Sequence, residues 1–118
     1  MQYAILIYET EAQREIHAKG GEPQEKITAE YMAYSQALVA ADKMRGGEGL
    51  ELPRYATTIV GNGTDNPRIQ DGPFADTKEQ LAGFYVIEVK DLDEAIEWAK
   101  KCPGARDGKI EIRPTLEM

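Results

Sequence analysis

Two segments of the chain, residues 3–8 and 83–89, are largely apolar at both their odd-numbered and their even-numbered positions. Successive side chains of a β-strand point to opposite faces, so a strand of this kind is covered on both sides. We therefore predict that both segments are interior strands of one sheet.

Two other segments have the periodicity of amphipathic helices. The first is predicted to begin at Thr28, which can cap it, and to end near Lys43-Met44. The second begins with Asp91-Leu92-Asp93-Glu94, which has the spacing of a capping box, and ends before Pro103-Gly104. The predicted buried stripes are Ile27, Tyr31, Tyr34, Leu38 and Ala41 in the first helix, and Leu92, Ala95, Ile96 and Ala99 in the second.

The remaining segments carry weaker signals. Residues 9–26 are polar and are interrupted by Gly20-Gly21 and Pro23, which predicts a loop with at most one weak helical turn, near Ala12–Lys19. Residues 56–60 and 68–71 flank a run of turn-forming residues and are predicted to pair as a hairpin. A short edge strand remains possible near residues 45–51, and a last strand is predicted over residues 109–113.

This order of elements describes a ferredoxin-like α+β fold, a single domain over residues 1–118 with an antiparallel sheet and two helices on one face. We expect seven side chains to be largely buried, Ile5, Ile7, Leu38, Phe84, Val86, Ile96 and Ile112. Two helices cover only one face of such a sheet. Because the interior strands are apolar on both faces, we predict a homodimer with sheet faces opposed.

Composition narrows the classes of partner. The chain has 118 residues, a net charge of −7 and a single cysteine, Cys102. An acidic surface disfavours nucleic acid and anionic membranes, and no apolar run approaches the roughly 18 residues of a membrane helix. One cysteine permits no internal disulfide, and the first residues lack the basic region of a signal peptide, so a cytoplasmic location is expected.

The segment from Asp71 to Glu79 is the strongest candidate for a site. Gly72 and Pro73 form a rigid turn that holds Asp71, which we predict to be a general base, and Phe74 is expected to pack inward and line a ligand pocket. Asp71 could instead cap the turn through backbone N–H groups. Lys78 is predicted to bind an anionic substrate that Glu79 orients, unless the two form a solvated ion pair.

Other chemically interesting residues carry weaker signals. Arg113 could bind an anion or pair with the acidic surface, and His17, expected in a loop, has a side chain suited to proton transfer. Cys102 lies near the end of a predicted helix, where a thiolate is disfavoured. The sequence has no Cys/His cluster and no phosphate-binding loop, so no metal or other cofactor is predicted.

The chain resembles the YCII-related domains, and among them the DGPF branch. The matching segments are Asp71-Gly72-Pro73-Phe74, Thr77-Lys78-Glu79, residues 83–87, residues 91–99 and residues 111–114. The branch usually has Glu where this chain has Asp76. The resemblance implies a ferredoxin-like fold that forms a dimeric α/β barrel. It implies no settled activity, since relatives are suspected enzymes and some occur in genomic association with sigma factors.

Two functions remain open. The first is a small acid–base enzyme with a pocket near the Asp71–Phe74 turn. The second is a non-catalytic module that binds a small ligand or a regulatory protein. A related branch is thought to use a His–Asp pair, which we do not transfer to His17 because that residue is expected in a variable loop.

Overall fold

The computed structural model describes residues 1–61, 63 and 65–117. The strands are β1 (Gln2–Glu9), β2 (Met44–Gly49), β3 (Thr57–Val60), β4 (Arg68–Asp71), β5 (Gln80–Glu88) and β6 (Lys109–Pro114). The helices are α1 (Glu11–Lys19), α2 (Glu22–Ala40), α3 (Leu92–Lys100) and α4 (Gly104–Asp107), with one 3-10 turn at Pro53–Tyr55. Part of the predicted turn between β3 and β4, Asn62 and Thr64, lies outside the described residues.

Four strands form an antiparallel sheet in the order β2-β5-β1-β6. The two doubly apolar segments, β1 and β5, are its interior strands, and Tyr3 to Ile7 pair in continuous register with Ile87 to Gly83. The predicted edge strand exists as β2, which pairs with β5. The predicted α+β fold with an antiparallel sheet is therefore confirmed.

The core lies on one face of this sheet, between β1 and β5 below and α2 and α3 above. Ile5, Leu38 and Ile87 are fully buried there, and Ile7 is 4% exposed. Phe84 and Val86 are only partly buried, because they pair with Leu6 and Ala4 on the opposite face of the sheet. Ile96 and Ile112 are also partly buried, so three of the seven predicted core residues are fully in the core and the other four are partly buried.

The prediction of a loop over residues 9–26 is wrong, because these residues contain all of α1 and the beginning of α2. Thr10 and Gln13 form a capping box: the Gln13 N–H donates to Thr10 Oγ1 at 3.3 Å and the Thr10 N–H donates to Gln13 Oε1 at 2.8 Å. Pro23 occupies the first turn of α2, where a missing N–H costs nothing. The description of two helices is corrected to four in the part of the chain that the structure describes.

Strands β3 and β4 form the predicted hairpin, and they pair with each other rather than with the main sheet. We call residues 55–74 the hairpin arm. Its base is closed by the Gly72 N–H, which donates to Ala56 O at 2.7 Å, and by Thr58 Oγ1, which donates to Gly72 O at 2.8 Å. Phe74 is 84% exposed, so the prediction that it packs inward is wrong.

None of the helices in the described residues combines the length and the apolar character needed to cross a membrane.

Candidate functional site

A cavity of about 440 Å³ opens between one end of the main sheet and helices α1, α2 and α4. Two other cavities, of about 350 and 370 Å³, lie near the base of the hairpin arm. The apolar part of the larger cavity's wall includes Ile7, Ile16, Ile27, Met44 and Leu50. Its polar side chains include Glu9, Gln13, His17, Gln24, Ser35 and Glu48. Such a mixture of apolar wall and convergent polar groups is typical of small-molecule sites.

Glu9 and His17 enter this cavity from consecutive elements. Glu9 ends β1, and α1 begins two residues later and carries His17 on the same face as Gln13 and Ile16. Burial raises the pKa of the Glu9 carboxyl above its usual range, while the charges of His17 and Arg14 act against that rise. The fold therefore places a partly desolvated carboxylate within electrostatic reach of an imidazole.

Tyrosine hydroxyls form a second polar group of the site. Burial raises the pKa of Tyr31 and Tyr85, which both line the cavity. The Tyr85 hydroxyl is 2.7 Å from Ser35 Oγ, and the Tyr31 hydroxyl lies near the thiol of Cys102. Both hydroxyls therefore stay protonated at neutral pH and can donate hydrogen bonds.

Glycines give the cavity its width along β2. Gly47 has φ +151°, and a Cβ there would lie 2.6 Å from Phe84 O, so only glycine fits. Gly49 also lines the cavity, and a Cβ at that position would meet nothing within 4 Å. The Gly46–Gly49 segment, which weakened the sequence prediction of a strand, thus forms part of the cavity wall.

Arg106, which lines the cavity, is already paired. Arg106 donates from Nη1 to Glu30 Oε2 at 2.6 Å and from Nη2 to Glu30 Oε1 at 3.2 Å, which joins α4 to α2 at the cavity mouth. Glu30 holds the pKa of Arg106 above its usual value, and the same pair lowers the pKa of Glu30. Arg106 thus acts here as a structural cation.

The site residues predicted from the sequence lie elsewhere. Asp71 is exposed at the end of β4, and Lys78 is exposed in the following segment. Glu79 pairs with Lys109 instead of Lys78, and Arg113 pairs with Glu111. The lining of the 440 Å³ cavity includes none of these residues and not Phe74, so their predicted roles in binding and catalysis stay predictions.

Helix α1 nevertheless connects the two regions. Its outer side faces Pro73, Asp76 and Thr77 across the 370 Å³ cavity, while its inner side carries His17. Arg14 Nη1 donates to Glu9 O and to Lys78 O, both at 2.9 Å. The segment that follows the hairpin arm is thereby tied to the end of β1.

Sequence reasoning did not identify Glu9, and it considered His17 only as a loop residue, because α1 was not recognised as a full helix. Its signal was present: Thr10-Glu11-Ala12-Gln13 has the capping-box spacing, directly after a strong strand. Within residues 1–61, 63 and 65–117, no three His, Cys, Asp or Glu side chains are grouped as a metal site would require.

Comparisons with known proteins agree with this fold. A family model of the YCII-related domain matches residues 1–118. An uncharacterised protein of Rhizobium meliloti strain 1021 is 34% identical over 116 residues, which cover 97% of this chain and 91% of that protein. The solved structure of 5-chloro-2-hydroxyhydroquinone dehydrochlorinase from Burkholderia phenoliruptrix AC1100, in complex with 2,5-dihydroxybenzoquinone, has a TM-score of 0.58. That likeness covers 100% of this chain and 96% of the other at 16% identity, and it shows a shared fold. The chain belongs to the YCII-related domain family.

Proposed function

We propose that this protein is a small acid–base enzyme whose site is the 440 Å³ cavity, with His17 and Glu9 as its proton-transfer pair. The observation that carries the proposal is the convergence of these two groups, one of them a carboxyl whose pKa is raised by burial. Raised carboxyl pKa values in a cavity are typical of catalytic sites. The predicted pocket near the Asp71–Phe74 turn stays a separate prediction, and Pro73 lines both of the smaller cavities.

The roles follow from the chemistry of the groups. The neutral imidazole of His17 accepts a proton from a bound small molecule, and the Glu9 carboxylate stabilises the imidazolium that results. The hydroxyls of Tyr31 and Tyr85 donate hydrogen bonds to the oxygen on which negative charge develops. The structural neighbour is a dehydrochlorinase, and loss of HCl requires removal of a proton, which is the class of step proposed here.

A second candidate is a module that binds a small molecule without changing it. The packing of Tyr85, which lines the cavity, is a feature that this alternative shares with the enzyme. Tyr34 packs edge-on against Tyr85 with ring centroids 5.3 Å apart, and its hydroxyl donates to Trp98 O at 2.8 Å. Such a wall would bind a flat ring equally well in an enzyme and in a binding protein.

We further propose that the chain forms a homodimer through the sheet face opposite the helices, as in a dimeric α/β barrel. The partly exposed side chains of Leu6, Phe84 and Val86 on that face support this arrangement. The DGPF branch, supported by residues 71–74, and a cytoplasmic location, supported by the single Cys102, also remain proposals.

The cavity is tested first by a binding screen with small hydroxylated aromatic and ketone compounds, read by protein NMR. Gly49→Val should weaken binding because the added side chain narrows the cavity. Gly46→Val is the matched control, since it lies on the same strand, has equally open surroundings and does not line the cavity. Equal binding by both variants would place the ligand site elsewhere.

Catalysis is then tested with the compounds that bind. We expect the protein to speed exchange of a ligand C–H proton with D₂O or loss of a halide, and His17→Gln to slow it by roughly 10²–10⁴-fold. Binding should persist in that variant. If ligands bind in the cavity and no proton exchange or halide loss occurs, the binding-module alternative is correct.

A further inference from the structure

The chain exposes more surface than a folded monomer of its mass should. Its accessible surface is 8242 Å², whereas a compact 13.1 kDa protein exposes about 6,400 Å². Its radius of gyration is 16.0 Å, against about 13.5 Å for a compact domain of this length. About 1,800 Å² of surface is therefore in excess.

The hairpin arm carries several of the exposed apolar side chains of the chain. It is a two-stranded sheet that pairs with no strand of the main sheet, and isolated hairpins of that kind are marginally stable in water. Ile59 and Ile69 are directly opposite each other and are 65% and 67% exposed. Tyr55 and Phe74, at the two ends of the arm, are 62% and 84% exposed.

We propose that the hairpin arm docks on a second copy of this chain, with the Ile59–Ile69 pair and Phe74 buried against it. The area supports a second copy as the occupant, because a stable interface buries roughly 800 Å² per partner and the excess surface is larger than that. The proposal rests on the homodimer and adds a contact that the sheet faces alone do not provide.

The Asp71–Phe74 turn does not line the 440 Å³ cavity, but as part of the hairpin arm it gains a role in subunit assembly. Asp71 pairs with Thr57, two positions from the Ile59–Ile69 pair, so all four side chains lie on one face of the hairpin. When that face meets the partner, the turn is placed at the subunit interface. The motif then serves assembly through its rigid shape, held by Gly72 and Pro73.

The first experiment measures the dimer dissociation constant by sedimentation equilibrium. The double variant Ile59→Thr, Ile69→Thr keeps β-branched side chains, so the hairpin retains its strand propensity. Each dimer contains the Ile59–Ile69 pair twice, once in each subunit. We therefore expect the dimer dissociation constant to rise on the order of 100-fold. Gln70→Thr, on the other face of the same strand, is the control and should leave the constant unchanged.

The outcomes separate the two proposals. A parent protein of monomer mass at micromolar concentration would overturn both the homodimer and the docked arm. A dimer that the double variant leaves intact would overturn the docked arm alone and keep the sheet-face dimer.

The second experiment detects the contact itself, in case the double variant unfolds the hairpin. Ile69→Cys is labelled with a photoreactive maleimide, and because Cys102 is 2% exposed, the new thiol is the one that reacts. Irradiation of a mixture of ¹⁵N-labelled and unlabelled chains should give crosslinks between chains, with far fewer from Gln70→Cys. Crosslinks confined to single chains, or to a different protein added as competitor, would refute docking on a second copy.

Discussion

The main sheet and the hairpin arm both contain isoleucines that face each other across antiparallel strands. Ile5 pairs with Ile112 in the main sheet, and Ile59 pairs with Ile69 in the arm. Ile5 is fully buried, because α2 and α3 cover it, while both isoleucines of the arm are about two-thirds exposed. Strand pairing brings such side chains together, but a further layer must cover them before they leave water.

The largest contrast should appear in the free energy of unfolding of the two regions. Ile5→Ala leaves a cavity in the core and should cost about 2–5 kcal/mol. Ile69→Ala should cost under about 0.5 kcal/mol in the isolated chain, since its side chain is already hydrated. Urea unfolding at two protein concentrations measures both free energies. A large loss of unfolding free energy for Ile69→Ala at both concentrations would show that Ile69 is buried within the single chain.

Glycines offer a smaller contrast of the same kind. A Cβ at Gly104 would lie 2.6 Å from the Tyr31 hydroxyl and 2.8 Å from Ile7 Cγ2, so Gly104→Ala should destabilise the chain by about 1–3 kcal/mol. Gly61, at the end of β3, has open space around it, and Gly61→Ala should be neutral or slightly stabilising. Thermal unfolding of the two variants measures the difference. Equal melting temperatures would show that the atoms around Gly104 move apart to accommodate a methyl group.

Arg14 tests whether the two regions are mechanically separate. Arg14→Ala removes its hydrogen bonds to Glu9 O and Lys78 O and should cost about 1 kcal/mol. It should also increase amide hydrogen exchange around residues 77–80. Lys78→Ala retains the accepting backbone oxygen and is the matched control. Unchanged amide hydrogen exchange in Arg14→Ala would mean that the segment after the hairpin arm is held in place without these two hydrogen bonds.

The smallest effect concerns the pH dependence of stability. Because burial raises the pKa of Glu9 above its ordinary 4.5, the folded protein holds its proton more tightly than the unfolded chain. The contribution of Glu9 to stability is therefore full below about pH 4.5 and declines as pH rises through the folded-state value. Glu9→Gln should remove this decline between pH 4 and 8. Glu15, an exposed residue of α1, provides the control, and Glu15→Gln should retain the decline in urea titrations.

The sequence predicted what depends on local patterning, and it failed where several segments have to converge. The doubly apolar strands and the Asp91 cap could be predicted because each depends on residues that are consecutive in the sequence. Helix α1 was missed because Gly20-Gly21 and Pro23 were interpreted as loop formers, whereas they end one helix and begin the next. The cavity could not be predicted, since Glu9, Tyr31, Gly49 and Tyr85 come from four elements.

Helix α1 has a further consequence if both proposals are correct. One side of it carries His17, and the other is fastened through Arg14 to the segment that follows the hairpin arm. A molecule bound in the cavity and a second subunit held by the arm would then act on the same short helix. By thermodynamic reciprocity, a ligand that strengthens pairing of the subunits would bind the pair more tightly than the single chain, by the same factor.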